Sequence, residues 1–186
     1  MSVRQKLVIF IAVLLVLDQA VKIWIKTHMM LGEEFSVFGD WFTILFIENN
    51  GMAFGMELGD GRTGKTILSL FRIVAVGAIG WYILKLFREK APTGVLFSFA
   101  LIFCGAIGNI FDSLFYGLIF SDSHYQIATL FPAGGGYSSF LHGKVVDMLY
   151  FPLWEGALPS WIPFWGGHDF VFFRPVFNLA DSYITI

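Results

Sequence analysis

Three unbroken apolar stretches, each near the length that crosses a lipid bilayer, constrain this chain more than anything else in it. Residues 7–25 read LVIFIAVLLVLDQAVKIWI, residues 66–87 read TILSLFRIVAVGAIGWYILKLF, and residues 94–117 read GVLFSFALIFCGAIGNIFDSLFYG. About 20 apolar residues span the hydrocarbon core, where a chain must satisfy its backbone internally, as a helix does. Charged residues make up 14% of the chain, against about 25% in soluble domains, so an ordinary soluble core is excluded. The first stretch follows Arg4 and Lys6 as a leader would. It lacks a small-residue cleavage site and two further spans follow, so it is expected to stay in the membrane. A fourth segment, PVFNLADSYITI, occupies residues 175–186. About 12 helical residues cover roughly 18 Å, so this span is expected to continue beyond Ile186. The expectation is an α-helical integral membrane protein, one domain over 1–186, with four transmembrane helices.

Basic residues orient the spans. Arg4, Lys6, Lys85, Arg88 and Lys90 crowd the amino-terminal end and the turn near residue 90 against one acid, Glu89. The other polar side dilutes its bases over more chain and more acids. Both termini are therefore expected in the cytoplasm, with residues 26–65 and 118–174 outside. In the first outer segment, FSVF, WFTILFIE and MAFGME, separated by Gly39-Asp40 and Asn49-Asn50-Gly51, read as a small antiparallel sheet. The second outer segment holds GGGYSS and three tryptophans, Trp154, Trp161 and Trp165. Those rings suit either the headgroup level or a loop core.

Residues 59–66, GDGRTGKT, match the phosphate-loop pattern letter for letter. That loop works only between a strand and a soluble helix; here it leads into a span, away from cytoplasmic nucleotide. It reads as a turn that ends the sheet and starts a helix, and no nucleotide partner is expected. A net charge of −2 without a basic stripe argues against nucleic acid. The single cysteine, Cys104, lies in an apolar run and reads as a small buried hydrophobe.

Charge inside a bilayer is costly and usually functional. The ionisable residues in or beside the spans are Asp18, Lys22, Arg72, Asp112 and Asp181, with Asp147 outside. Asp18 and Lys22 stand four apart on one helix face and read as a structural ion pair. Asn109-Ile-Phe-Asp112 and Asn178-Leu-Ala-Asp181 each set an amide three residues before a carboxylate, again read as one helix face. Three outer carboxylates suggest a pair of aspartates sharing a proton, one base and one acid. Spacing alone leaves open which two of Asp112, Asp147 and Asp181 pair. A hard-cation site of aspartates is the competing use. His28, His124, His142 and His168 lack helix-borne ligand spacing, and no metal or other cofactor is expected.

The whole chain resembles the lipoprotein signal peptidases (signal peptidase II). LDQAVK at 17–22, NNGMAFG at 49–55, GAIGNIFDS at 105–113, GKVVD at 143–147 and FNLADSYIT at 177–185 carry the resemblance in the family's order. It implies four membrane helices with a small extracytoplasmic β-cradle, in the bacterial inner membrane, the active site lying near the outer leaflet. It implies an aspartyl endopeptidase that cleaves prolipoproteins just before a diacylglyceryl-modified cysteine; membrane lipids are its other expected partners, and the chain is expected to act as a monomer. Asp147 and Asp181 become the catalytic dyad, and Asn109 and Asn178 the groups that orient dyad or substrate. Asn49 lies at the outer edge of the site, Asp18, Lys22 and Asp112 support it, and Phe54 helps close it. Ser113 stands where the family usually has Arg, leaving Asp112 to find a partner in Arg72 or Arg174. The outer segments 118–141 and 151–174 are longer than the family norm. The rival reading is a small proton-coupled transporter or assembly factor using Asp18, Asp112 and Asp181 as a relay. It requires acids at several depths rather than one.

Overall fold

The computed structural model describes residues 1–186 except 40, 52–60, 153, 162, 165 and 173–174. Helix α1 (Val3–His28) starts at a capping box in which Ser2 and Gln5 bond each other's backbone and side chain. Helix α2 (Gly61–Arg88) is joined to α3 (Thr93–Phe111) by a short turn in which Lys90 takes a φ of 55°. Helix α3 continues through Asp112–Tyr116, wound with the wider i→i+5 spacing, into α4 (Gly117–Ile119). The three long helices run 26, 28 and 27 residues, or roughly 40 Å each at 1.5 Å per residue, enough to cross the bilayer. Val13, Val16 and Leu17 of α1 and Phe71, Val74, Trp81 and Leu84 of α2 are exposed, an outer surface that lipid covers and water would not tolerate. At one end Leu7, Ile83, Leu86, Leu96 and Ala100 close the bundle.

At the other end the helices meet a four-stranded antiparallel sheet ordered β1 (Glu34–Phe38), β2 (Phe42–Asn49), β3 (Val145–Tyr150) and β6 (Val176–Phe177). A separate hairpin pairs β4 (Trp154–Ala157) with β5 (Asp169–Phe172). The first two strands lie where the aromatic and β-branched runs placed them. The run MAFGME falls at 52–57, outside the described residues apart from its neighbours, as do Phe54, Trp165 and Arg174. The strands that complete the four-stranded sheet come instead from the second outer segment (β3) and from the start of the fourth apolar segment (β6). Ile25, Met29, Phe46, Tyr116, Phe120, Val146 and Met148 pack together where the sheet sits on the helix ends.

The fourth apolar segment departs from its expected bounds. Val176 and Phe177 form a strand against Tyr150 and Leu149, and the helix, α5 (Leu179–Thr185), begins only after Asn178. Pro175 cannot donate to a helix or ladder, and the next two residues favour extended backbone. Helix α2 already begins at Gly61, so residues 61–66, expected as a turn before the helix, form its first turns instead; Gly59 and Asp60 lie outside the described residues.

Two close approaches bring the remote pieces onto α3. A Cβ on Gly108 would stand 2.6 Å from Asp18 Oδ2 and 3.0 Å from the Ala180 side chain, and one on Gly105 would strike the Ala180 carbonyl. Gly143 donates to the Ser113 carbonyl at 2.9 Å, and a Cβ there would meet the Asp112 carbonyl. This contact lays the approach to β3 on the widened turn of the helix. Gly108→Ala is therefore expected to lower stability by about 1–3 kcal/mol through overpacking, read as a reduced melting temperature in detergent. Gly77→Ala, where a Cβ would meet nothing within 4 Å, is expected to be neutral.

Candidate active site

The polar centre is assembled from all of these elements, and Lys22 of α1 is its first member. Its ammonium is fully buried and lies 3.0 Å from Asp18 Oδ2, 2.9 Å from Asp112 Oδ2 and 3.0 Å from Asn109 Oδ1. An ammonium has three N–H donors and no acceptor, so each is matched to one oxygen. Gln19, one residue after Asp18, donates to Asp18 Oδ2 at 3.1 Å and Asp112 Oδ1 at 2.9 Å, and accepts from the Tyr116 hydroxyl at 3.0 Å. Asp18 Oδ1 accepts from the Ala180 backbone N–H at 3.0 Å, and Asp112 Oδ2 from that of Val146 at 3.3 Å. These two carboxylates thus neutralise Lys22 while holding α5 and β3 in place.

The expected Asp18–Lys22 pair is present, but it is half of a larger unit. Asp112 takes its cation from Lys22 rather than from Arg72, which donates to the Gly51 carbonyl. Ser113, in the place of the usual arginine, donates to the Asn109 carbonyl at 3.1 Å. Arg174 lies outside the described residues.

From Lys22 the order of the remaining bonds follows. Because Lys22 can only donate, the Asn109 oxygen must face it, and the Asn109 amide nitrogen then donates to Asp181 Oδ1 at 2.7 Å. Asn178 donates to Asn109 Oδ1 at 3.0 Å and to Asp147 Oδ1 at 2.7 Å. Its own oxygen accepts from the Asp181 backbone N–H at 3.0 Å, and Asp181 Oδ2 accepts from the Asn178 N–H at 3.2 Å. On the far side, Asn49 accepts from the Gly51 N–H at 2.8 Å and donates to Asp147 Oδ2 at 3.2 Å. Gly51 adopts a φ of 95° for this turn, and a Cβ there would lie 2.7 Å from Arg72 Nη1.

The two Asn-x-x-Asp patterns therefore differ in kind. Asn109 and Asp112 do share a helix face and meet the same ammonium. Asn178 and Asp181 instead form a capping box, with Asn178 the extended residue before α5 and Asp181 in its first turn. The structure brings Asn49, Asn109, Asn178, Asp147 and Asp181 together, with Asp18, Lys22 and Asp112 directly behind. Tyr116 is a member that the sequence did not single out, and Gln19, part of the LDQAVK cluster, carried no assigned role there. Among the described residues no group of three or more His, Cys, Asp or Glu side chains is disposed to hold a metal ion.

Asp147, on strand β3, is 3% exposed. Burial, then the neighbouring Asp181 charge, pushes its carboxyl up to about 7, against the opposing pull of Asn49, Asn178 and Lys22. Asp147 and Asp181 accept from amides and backbone N–H groups, whereas Asp18 and Asp112 are spent on the ammonium. Two electrostatically coupled carboxyls, held by neutral donors at the junction of helix and sheet, can exchange a proton with a bound water or carbonyl.

The chain has relatives among known proteins. Residues 10–186 match the sequence profile of the family described as Signal peptidase (SPase) II. A lipoprotein signal peptidase of Porphyromonas gingivalis (strain ATCC 33277) is 59% identical over 177 residues, spanning 95% of this chain and 76% of the relative. One from Amoebophilus asiaticus (strain 5a2) is 39% identical over 169 residues, spanning 89% and 67%. A bacterial membrane enzyme solved by the in meso method at 1.9 Å shares the fold, with a TM-score of 0.59, 24% identity and coverage of 97% of this chain and 86% of that one.

Removing the Lys22 charge strands Asp18 and Asp112 in a buried site. Lys22→Met is expected to cost about 3–5 kcal/mol, and Lys22→Met combined with Asp18→Asn and Asp112→Asn to recover part of the loss. Melting temperatures of the detergent-solubilised variants check both statements.

Proposed function

The chain belongs to the signal peptidase II family, a protease family that removes signal peptides from prolipoproteins, and from that premise we propose that Asp147 and Asp181 perform the cleavage. The observation that carries this assignment is the division of labour among the buried acids. Asp18 and Asp112 are ion-paired to Lys22, while Asp147 and Asp181 face amide donors and are linked through Asn109 and Asn178. Two close carboxyls cannot both ionise cheaply, so the pair shares one proton. Asp147, whose carboxyl holds its proton up to about 7, is the acid that hydrogen-bonds the scissile carbonyl oxygen. Asp181 takes a proton from water, and the water oxygen attacks the carbonyl carbon. The tetrahedral intermediate collapses as the peptide C–N bond breaks, and the departing amine leaves with the proton that Asp181 took. Asn109 and Asn178 orient the two carboxyls throughout, and Asn49 holds Asp147 from the sheet side.

The substrate is a prolipoprotein whose cysteine carries diacylglyceryl, cut just before that cysteine. Its signal peptide lies between the helices and its lipid beside the sheet. The crowding of bases at Arg4, Lys6, Lys85, Arg88 and Lys90 supports an orientation in the inner membrane with both termini cytoplasmic and the site near the outer leaflet. Asp18, Asp112, Asp147 and Asp181 belong to one contiguous hydrogen-bonded network. Such a network supports the peptidase over a relay of acids at several depths.

In a mobility-shift assay with a lipid-modified prolipoprotein, Asp147→Asn and Asp181→Asn are each expected to abolish detectable cleavage while remaining folded. The pH dependence follows from Asp147. Its carboxyl lies above the ordinary value of about 3.9, so the acid form persists into the neutral range and is lost as pH rises through about 7. Activity should accordingly fall on the alkaline side with a midpoint near that pH. For stability the same sign holds. Ionising buried Asp147 penalises the folded state increasingly above the unfolded value, and Asp147→Asn should raise the melting temperature most at pH 8.

A further inference from the structure

A second buried charge cluster lies one residue from Asn49. Lys26, one helical turn beyond Lys22, is fully buried and ion-paired to Glu48 of β2. The Lys26 ammonium also donates to Ser123 Oγ at 2.7 Å, and that hydroxyl donates to Glu48 Oε1 at 2.9 Å. Lys144, just before β3, donates to Glu48 Oε2 at 3.0 Å. The rings of Tyr137, Phe120 and Phe46 wall the Lys26 ammonium at 4.9, 5.4 and 5.9 Å, and the Lys144 backbone N–H donates to the Tyr137 hydroxyl at 2.6 Å. Burial pushes the Glu48 carboxyl up, yet Lys26 and Lys144 leave it below the usual carboxylate range. The long outer segment 118–141 supplies Phe120, Ser123 and Tyr137 to this cluster.

The position of this cluster matters because the β2–β3 pairing is irregular. Ile44 pairs with Leu149, but the register shifts by one before Ile47 pairs with Asp147, Glu48 with Val146 and Asn49 with Val145. Asn49 reaches Asp147 diagonally, on the same sheet face, only in the second register. A slip of one residue would turn it to the other face. Buried ion pairs add little net stability over apolar replacements, and their best-attested use is to fix register. We propose that the Lys26–Glu48–Lys144 clamp holds β2 and β3 in the register that lets Asn49 bond Asp147, making Glu48 a positioning residue for the reaction. This rests on the assignment of Asp147 as the acid of the pair.

The experiment compares pH–rate profiles of the full chain with those of Glu48→Gln, Asn49→Ala and the double variant. Asp181, Lys22 and Arg72, which act on Asp147 from α5, α1 and α2, and Asn178, which bonds it, are left in place. Loss of the Asn49 bond leaves the Asp147 carboxylate less stabilised, so each single variant should move the alkaline limb upward by about one pH unit. The double variant should move it no further. Glu48→Gln lowering activity equally at every pH, or adding a second shift to that of Asn49→Ala, overturns the clamp. An unmoved limb in Asn49→Ala overturns the Asp147 assignment itself, and with it this proposal. Should Glu48→Gln not fold, Lys144→Met, whose side chain is 25% exposed and whose loss leaves the Lys26 pair intact, carries the test. A smaller shift of the same sign supports the clamp, and an unmoved limb overturns it.

Discussion

A single buried ammonium sets the geometry on which the rest of this protein depends. Lys22 has three hydrogens and finds three oxygens, at 3.0, 2.9 and 3.0 Å, on Asp18, Asp112 and Asn109. In a low-dielectric interior an unmatched member of such a set would be very costly, so the set forms complete or not at all. Each oxygen belongs to a different commitment of the fold. Asp18 holds the start of α5 through the Ala180 N–H, Asp112 holds β3 through Val146, and Asn109 is turned so that its amide nitrogen faces Asp181. The lysine touches neither Asp147 nor Asp181, yet it decides which way the amides that serve them point.

That arrangement leaves Asp147 and Asp181 outside the ion pairs of Lys22. Two carboxylates bond the ammonium, and Asp147 and Asp181 accept hydrogen bonds from amide and backbone N–H groups instead. Placing Asp147 on a strand and Asp181 in the first turn of a helix lets two rigid elements fix their separation. The widened turn at Asp112–Tyr116 and the bare Cα of Gly143 allow the strand to lie close enough on α3 for this.

Much of this was legible in the residues, for identifiable reasons. The spans showed because the bilayer demands long apolar runs, and α1, α2 and α3 extend beyond the anticipated stretches by a few residues at most ends. Asp18 and Lys22 showed because four residues make one helical turn. The resemblance to signal peptidase II named Asn49, Asn109, Asn178, Asp147 and Asp181, which the structure joins by hydrogen bonds. What stayed hidden depends on long-range pairing. Nothing local announces that Val145–Tyr150 inserts between Phe42–Asn49 and Val176–Phe177, or that Asn178 caps a helix instead of riding on it. The same four-residue pattern, Asn-x-x-Asp, serves as a helix face at 109 and as a capping box at 178. The Glu48 cluster was equally silent, because its partners lie 22, 75 and 96 residues away in the chain.

In the proposed mechanism Asp147 carries the shared proton of the pair at neutral pH. Infrared difference spectroscopy of the detergent-solubilised protein, titrated from pH 4 to pH 9 alongside Asp147→Asn, tests it most directly. The expected result is a protonated-carboxyl band that is absent from the variant and disappears as pH rises through about 7. A band assigned to Asp147 that is lost already near the ordinary carboxyl value of about 3.9 would contradict it.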